Sequence, residues 1–146
     1  MQAMKRWAAM AVGVVAVGFS LGSGCPLGLN VTTVRLVNNA KFTVDVRLFY
    51  GKDQLASKEF IKATGTERNF TIAPGASRTL TVNCDDLQAI FIDNASQQIL
   101  GGLGPDRDTN VLRDGSDFGC GDTIRYEFTG TLLIVDFDIN TSITNG

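Results

Sequence analysis

Ile124–Asn140 reads IRYEFTGTLLIVDFDIN, and its two halves decide the fold. In the first half Ile124, Tyr126 and Phe128 alternate with Arg125 and Glu127, a period of two that puts apolar side chains on one face and charges on the other. Thr129-Gly130-Thr131 interrupts the run as a turn. In Leu132–Asn140, Leu133, Val135, Phe137 and Ile139 then face the core while Asp136 and Asp138 face water. A helix would scatter both sets around its axis, so the stretch reads as two antiparallel strands.

The same alternation recurs upstream. Leu80, Val82 and Cys84 share one side of Arg78–Cys84, and Val44, Val46, Leu48 and Tyr50 oppose Asp45 and Arg47 in Thr43–Tyr50. Val31–Asn39 sets Val34 and Leu36 against Thr33 and Arg35, and this run is expected to pair with Thr43–Tyr50 as its neighbour. Asn69–Ala73 and Leu87–Asp93 are shorter strands, with Gln97–Leu100 a further fragment, and Ala73-Pro74-Gly75 is a tight turn. Leu55–Lys62 (LASKEFIK) suits a short helix or an edge strand and is read as a strand. Seven to nine short strands with no long helix predict an all-β fold, an antiparallel β-sandwich, with a small barrel as the alternative. Over Val31–Asn140 this plan resembles immunoglobulin-like and fibronectin-like sandwiches in a general way. It lacks their core tryptophan, and Phe118 stands where an immunoglobulin domain has a tyrosine two places before the second cysteine.

The first residues belong to a different kind of segment. Lys5 and Arg6 precede an uncharged run of fifteen residues, Trp7–Leu21, which ends in the small residues Gly22, Ser23 and Gly24. That is the layout of an export signal. A membrane span needs about 20 apolar residues, and this run is shorter and diluted by Gly13, Gly18 and Ser20. With Cys25 directly after the small residues, the segment resembles a bacterial lipoprotein signal, although Gly22 occupies the place where a leucine is usual and Leu21 lies one place earlier. The resemblance implies cleavage before Cys25, acylation of its thiol and a lipid anchor in the cell envelope. Proline at position 26 favours the outer membrane by the sorting habits of that family. Plain secretion after cleavage at Gly22 or Gly24 is the alternative. The resulting plan is a signal over residues 1–24, a lipidated tether over 25–30 and a sandwich domain over 31–146.

Three cysteines is an odd number for an exported chain. If Cys25 is acylated, Cys84 and Cys120 remain, in a compartment where a disulfide persists; two separate buried thiols are the other option. A bridge would also carry Asp85 and Asp86 next to Gly119–Asp122. That crowding of carboxylates calls for Arg107, Arg113 or a bound cation to offset it.

Absences narrow the function. The chain has no histidine, which removes Ser-His-Asp and Cys-His catalysis and histidine-ligated metals, and its one tryptophan, Trp7, lies in the signal. Loss of Lys5 and Arg6 leaves a mature balance of −4, with dispersed lysines and no basic face for nucleic acid. The glycine- and aspartate-rich Gly101–Asp122 is a long loop, where function often resides. Within it Asp106, Asp108, Asn110, Asp114 and Asp117 fall at positions 1, 3, 5, 9 and 12 of a twelve-residue calcium loop, with Val111 in place of the usual glycine and Asp117 in place of the usual glutamate. The other reading is a loop whose aspartates cap its own amides. Together these features predict an envelope-tethered, non-catalytic protein with a structural or protein-interaction role, held to the membrane by its lipid. Its partner would be an envelope or extracellular protein, and the alternative is a calcium-dependent binding or adhesion module built on the loop.

Overall fold

The computed structural model describes residues 30–99, 104–131 and 136–146. The expected signal, Cys25, the expected tether before Asn30, most of the Gly101–Gly104 stretch and Leu132–Val135 lie outside these residues. Nine strands form among the described residues: β1 (Val31–Asn38), β2 (Val44–Gly51), β3 (Thr66–Ile72), β4 (Ser77–Asn83), β5 (Ala89–Gln97), β6 (Asp106–Arg107), β7 (Leu112–Arg113), β8 (Thr123–Thr129) and β9 (Asp138–Thr144). One sheet has the order β4-β1-β8-β9; the other runs β3-β2-β5-β6, with β7 also paired to β5. The sheets face each other as a sandwich. Val34, Leu36, Ile124, Tyr126 and Phe128 from one meet Val46, Leu48, Ile90 and Ile92 from the other, all at 2% exposure or less.

The alternating runs therefore fold as their periodicity requires, but one pairing differs from expectation. β1 and β2 are not neighbours. β1 lies between β4 and β8, antiparallel to the first and parallel to the second, whereas β2 lies between β3 and β5. The sandwich is thus antiparallel except at β1–β8. The chain changes sheets through Asn39–Thr43, and Asn38 holds that crossing. Its buried amide donates to Phe42 O at 2.9 Å and Ile72 O at 2.8 Å, and its Oδ1 accepts from Ala40 N at 2.9 Å. A sheet change buries backbone polar groups without a ladder, and one asparagine can satisfy three of them.

The closing pair forms antiparallel, as the alternation predicts. β9 is described from Asp138 to Thr144, the expected Leu132–Val135 lying outside the described residues, and its register sets Phe128 opposite Ile139 and Ile124 opposite Ile143. Phe137 reaches the core just before the strand starts, its ring stacked 6.4 Å from that of Phe128. The Ala73-Pro74-Gly75 turn forms as expected, with Ala76 N bonded to Ala73 O at 3.0 Å and Gly75 at a positive φ of 73° that suits glycine.

Leu55–Lys62 is not a strand. Lys58–Thr64 is a helix, α1, capped by Ser57, whose hydroxyl accepts from Phe60 N at 3.2 Å, with Glu59 in the first turn and Lys62 in the last. The reason lies in the sheet beneath. Phe49, Ala89 and Phe91 on the outer face of β2 and β5 need a cover, and Ile61 and Ala56 supply it. Four consecutive buried residues in β5, Ala89–Ile92, record this coverage on both faces.

Candidate functional site

The strands of both sheets share one end, where the chain enters the domain at Asn30. Asn30 O accepts from Cys84 N at 3.0 Å, and Asn30 Nδ2 donates to Asn83 Oδ1 at 3.4 Å. Directly beside it Cys84 and Cys120 form a disulfide with their Cα atoms 5.5 Å apart. Cys84 opens a 3-10 turn, Cys84–Asp86, that follows β4, and Cys120 lies in the turn that precedes β8. The bond thus ties the two strands flanking β1 across its first residues, with the buried Thr32 hydroxyl 3.7 Å from Cys84 Sγ. The pairing is the one expected, and it lies at the end of the sandwich. Cys84 is buried while Cys120 is exposed at the rim. The C-terminus closes the same end, where Gly146 N donates to Asp122 Oδ1 at 3.3 Å.

A groove of about 440 Å³ opens beside this clasp. Tyr50, Lys52 and Asp53 form one wall where the chain leaves β2, α1 contributes Phe60, Ile61 and Thr64, and Asp86 of the 3-10 turn closes the rim. Lys52 Nζ bridges to Asp86 Oδ1 at 2.7 Å, and this hydrogen bond raises the Lys52 pKa above its ordinary value. The expected crowding of carboxylates is therefore offset by a lysine and not by an arginine. Arg113 instead donates to Gln54 O and Ala56 O, pinning the Lys52–Ser57 connection, and Arg107 donates to Asp106 O. Asp122 is satisfied by Gly119 N at 2.6 Å.

Helix geometry gives α1 two characters. Residues advance about 100° each, so Lys58 and Lys62 share one side and Phe60 and Thr64 the opposite one. The lysines reach along the sheet away from the groove, Lys58 to Asp108 at 2.6 Å and Lys62 to Asp93 at 2.7 Å. Arg47 also pairs with Asp93. Burial favours the neutral form of Asp93, but the hydrogen bonds from Lys62 and Arg47 prevail and hold its carboxyl below the usual carboxylate range. On the other side Phe60 is 51% exposed, and Leu55 in the preceding connection is 85% exposed. Burial pushes the Tyr126 phenol above its usual range, but it sits in the core, away from the groove.

The aspartate-rich loop is described from Gly104 onward. It opens into β6 and β7 along the edge of β5, which spreads the five proposed ligands over the sheet margin. Asp106 accepts from Asn94 Nδ2 at 3.3 Å, Asp108 pairs with Lys58, and Asn110 lines a shallow depression near Ile139 and Thr141. Asp114 N donates to Gln88 O, and the Asp117 carboxylate accepts from Arg113 N at 2.8 Å and the Ser116 hydroxyl at 3.3 Å. Among the described residues no group of three or more His, Cys, Asp or Glu could hold a metal ion. Asp117 thus caps a backbone amide within its own loop, as aspartates in turns do. Sequence reasoning missed the groove and the Lys52–Asp86 pair. Only the adjacent apolar pair Phe60-Ile61, which a single strand or helix face cannot bury together, hinted at the groove, and nothing in the sequence signalled the ion pair.

No family model matches the chain, and no curated protein matches it either. Among solved structures it is similar to a protein from Eubacterium rectale, with 15% identity over 84% of this chain and 97% of that one, at a TM-score of 0.47. It is also similar to the T6SS lipoprotein TssJ1 from Pseudomonas aeruginosa, with 12% identity over 80% of this chain and 97% of that one, at 0.46. Suilysin from Streptococcus suis shares 7% identity over 80% of this chain and 24% of its own, at 0.47. These likenesses concern the fold and assign no role. The described part of the chain is a two-sheet β-sandwich closed by one disulfide at the end where the chain enters.

Proposed function

We propose that the chain is an exported lipoprotein, acylated at Cys25 and tethered to the bacterial cell envelope, whose sandwich acts in structure or protein association without catalysis. The observation that carries this reading is the treatment of the point of entry. Directly after the short segment that follows Cys25, Asn30 is bonded to Cys84 N and the disulfide closes over the start of β1, so a pull on the tether meets a covalently closed end. A bridge of this kind also suits an oxidising compartment outside the cytoplasm. The outer membrane is the proposed site, on the proline at position 26, and an envelope or extracellular protein is the proposed partner.

The domain works without a bound metal on this reading, since Asp108 and Asp117 already have partners within the fold. Cell fractionation of the wild type and of Cys25→Ser tests the anchor. The wild type should sediment with membranes and carry acyl mass at its N-terminus, and the variant should be soluble with an unchanged thermal transition. A soluble, unacylated wild type would refute the lipoprotein reading.

A further inference from the structure

We propose that the end of the sandwich bearing Leu55 and Phe60 rests on the lipid surface, so that the domain is docked against the bilayer and does not swing from its tether. This inference rests on the lipoprotein reading above and adds an orientation to it. Five chain steps separate Cys25 from Asn30, a reach of at most about 18 Å when fully extended. Asn30 is fixed to the Cys84 turn, and Asp86 of that same turn lines the groove that Phe60 also lines. An acyl chain on Cys25 therefore keeps the groove end close to the headgroups whatever path the tether takes.

The side chains at this end fit that position. Phe60 and Leu55 are the large hydrophobic residues left exposed among those described, and Phe60 lies on the side of α1 opposite the two lysines that bind the sheet. Lys52 lines the same groove as Phe60, with a long stem that can lie along the interface while its ammonium, paired with Asp86, stays hydrated. Asp53, Asp85 and Asp86 make this end acidic overall, which selects a zwitterionic surface over an anionic one.

The processed, acylated full-length protein provides the test, because its only native tryptophan leaves with the signal. Phe60→Trp and, at the opposite end of the sandwich, the exposed turn residue Ala73→Trp are each inserted into phosphatidylcholine vesicles with and without brominated acyl chains. Flotation with the vesicles and the acyl mass report the anchor; bromine quenching reports docking. The expected result is flotation of both variants, with quenching several-fold stronger for Phe60→Trp. Flotation with equal, weak quenching of both overturns the docking while leaving the anchor intact. Failure of the wild type to carry acyl mass or to float overturns both. A concentration-dependent blue shift of the Phe60→Trp indole in detergent, without vesicles, assigns the patch to a second copy of the chain and also overturns the proposal.

Discussion

Lys52 and Asp86 form a 2.7 Å ion pair between the connection that leaves β2 and the 3-10 turn that carries Cys84, so the rim of the groove is drawn together by charge beside a covalent bond. Both side chains are open to solvent, and such pairs are screened and contribute little. Lys52→Ala should leave the thermal midpoint nearly unchanged, and any small difference should vanish in 1 M salt. Because the Lys52 pKa is raised on folding, its contribution is present below the ordinary lysine range and disappears as pH rises through the folded value. Melting curves at neutral and strongly alkaline pH check this sign.

The disulfide should matter far more. It joins residues separated by 36 positions, and closing such a loop stabilises a domain by about 4 kcal/mol in the chain-entropy model. A Cys84→Ala, Cys120→Ala variant should lose most of that amount in urea denaturation. Free-thiol labelling of the denatured, unreduced mature protein should modify neither cysteine; ready labelling of both would contradict the bridge.

Asn38→Ala should be among the costliest single substitutions. It removes one side chain and leaves Ile72 O, Phe42 O and Ala40 N without their partner at the sheet crossing. Buried groups left unsatisfied cost roughly 1 to 3 kcal/mol, so a loss of about 3 kcal/mol is expected, seen as a lower urea midpoint with an unchanged slope.

Asp93 should govern part of the acid side of the stability curve. Its carboxyl is held below the usual range by Lys62 and Arg47, so its contribution is present above the unfolded carboxylate pKa and is lost as pH falls through the lower folded value. Asp93→Asn should therefore flatten the pH dependence of the midpoint below about pH 4, at a small loss of stability near neutrality.

Calcium should leave the domain unmoved. A ligand at 100 times its dissociation constant adds about 2.7 kcal/mol, a shift that thermal melting resolves easily. Curves in millimolar calcium and in chelator should coincide, and a clear upward shift with calcium would revive the loop as an ion site.

The strands that a reader of the sequence could place are those whose two faces meet different surroundings. β8 sends Ile124, Tyr126 and Phe128 into the core and Arg125 and Glu127 outward, and the letters alternate accordingly. α1 was weighed against an edge strand and passed over because LASKEFIK carries apolar residues in adjacent pairs, and what favours the helix is the Ser57 cap together with the covered outer face of Phe49 and Phe91, which lie elsewhere in the chain. The exchange of sheets after β1 was hidden for another reason. Adjacent strands with a short connection usually pair, and only the three bonds made by Asn38 show why these do not. In the aspartate-rich loop the spacing was real, but edge pairing of β6 and β7 with β5 decided where each carboxylate went.

The parallel pairing of β1 with β8 bears on when the chain can fold. On the proposed export, β1 is the first strand to leave the channel, yet its partners are β4 and the late strand β8, Thr123–Thr129. The leading strand cannot be enclosed on both sides until nearly the whole domain has emerged, and contacts this distant in sequence form slowly. If the chain crosses a membrane unfolded, as the proposed export requires, the Cys84–Cys120 bond closes only once Cys120 has emerged, and so locks the domain after translocation is almost complete.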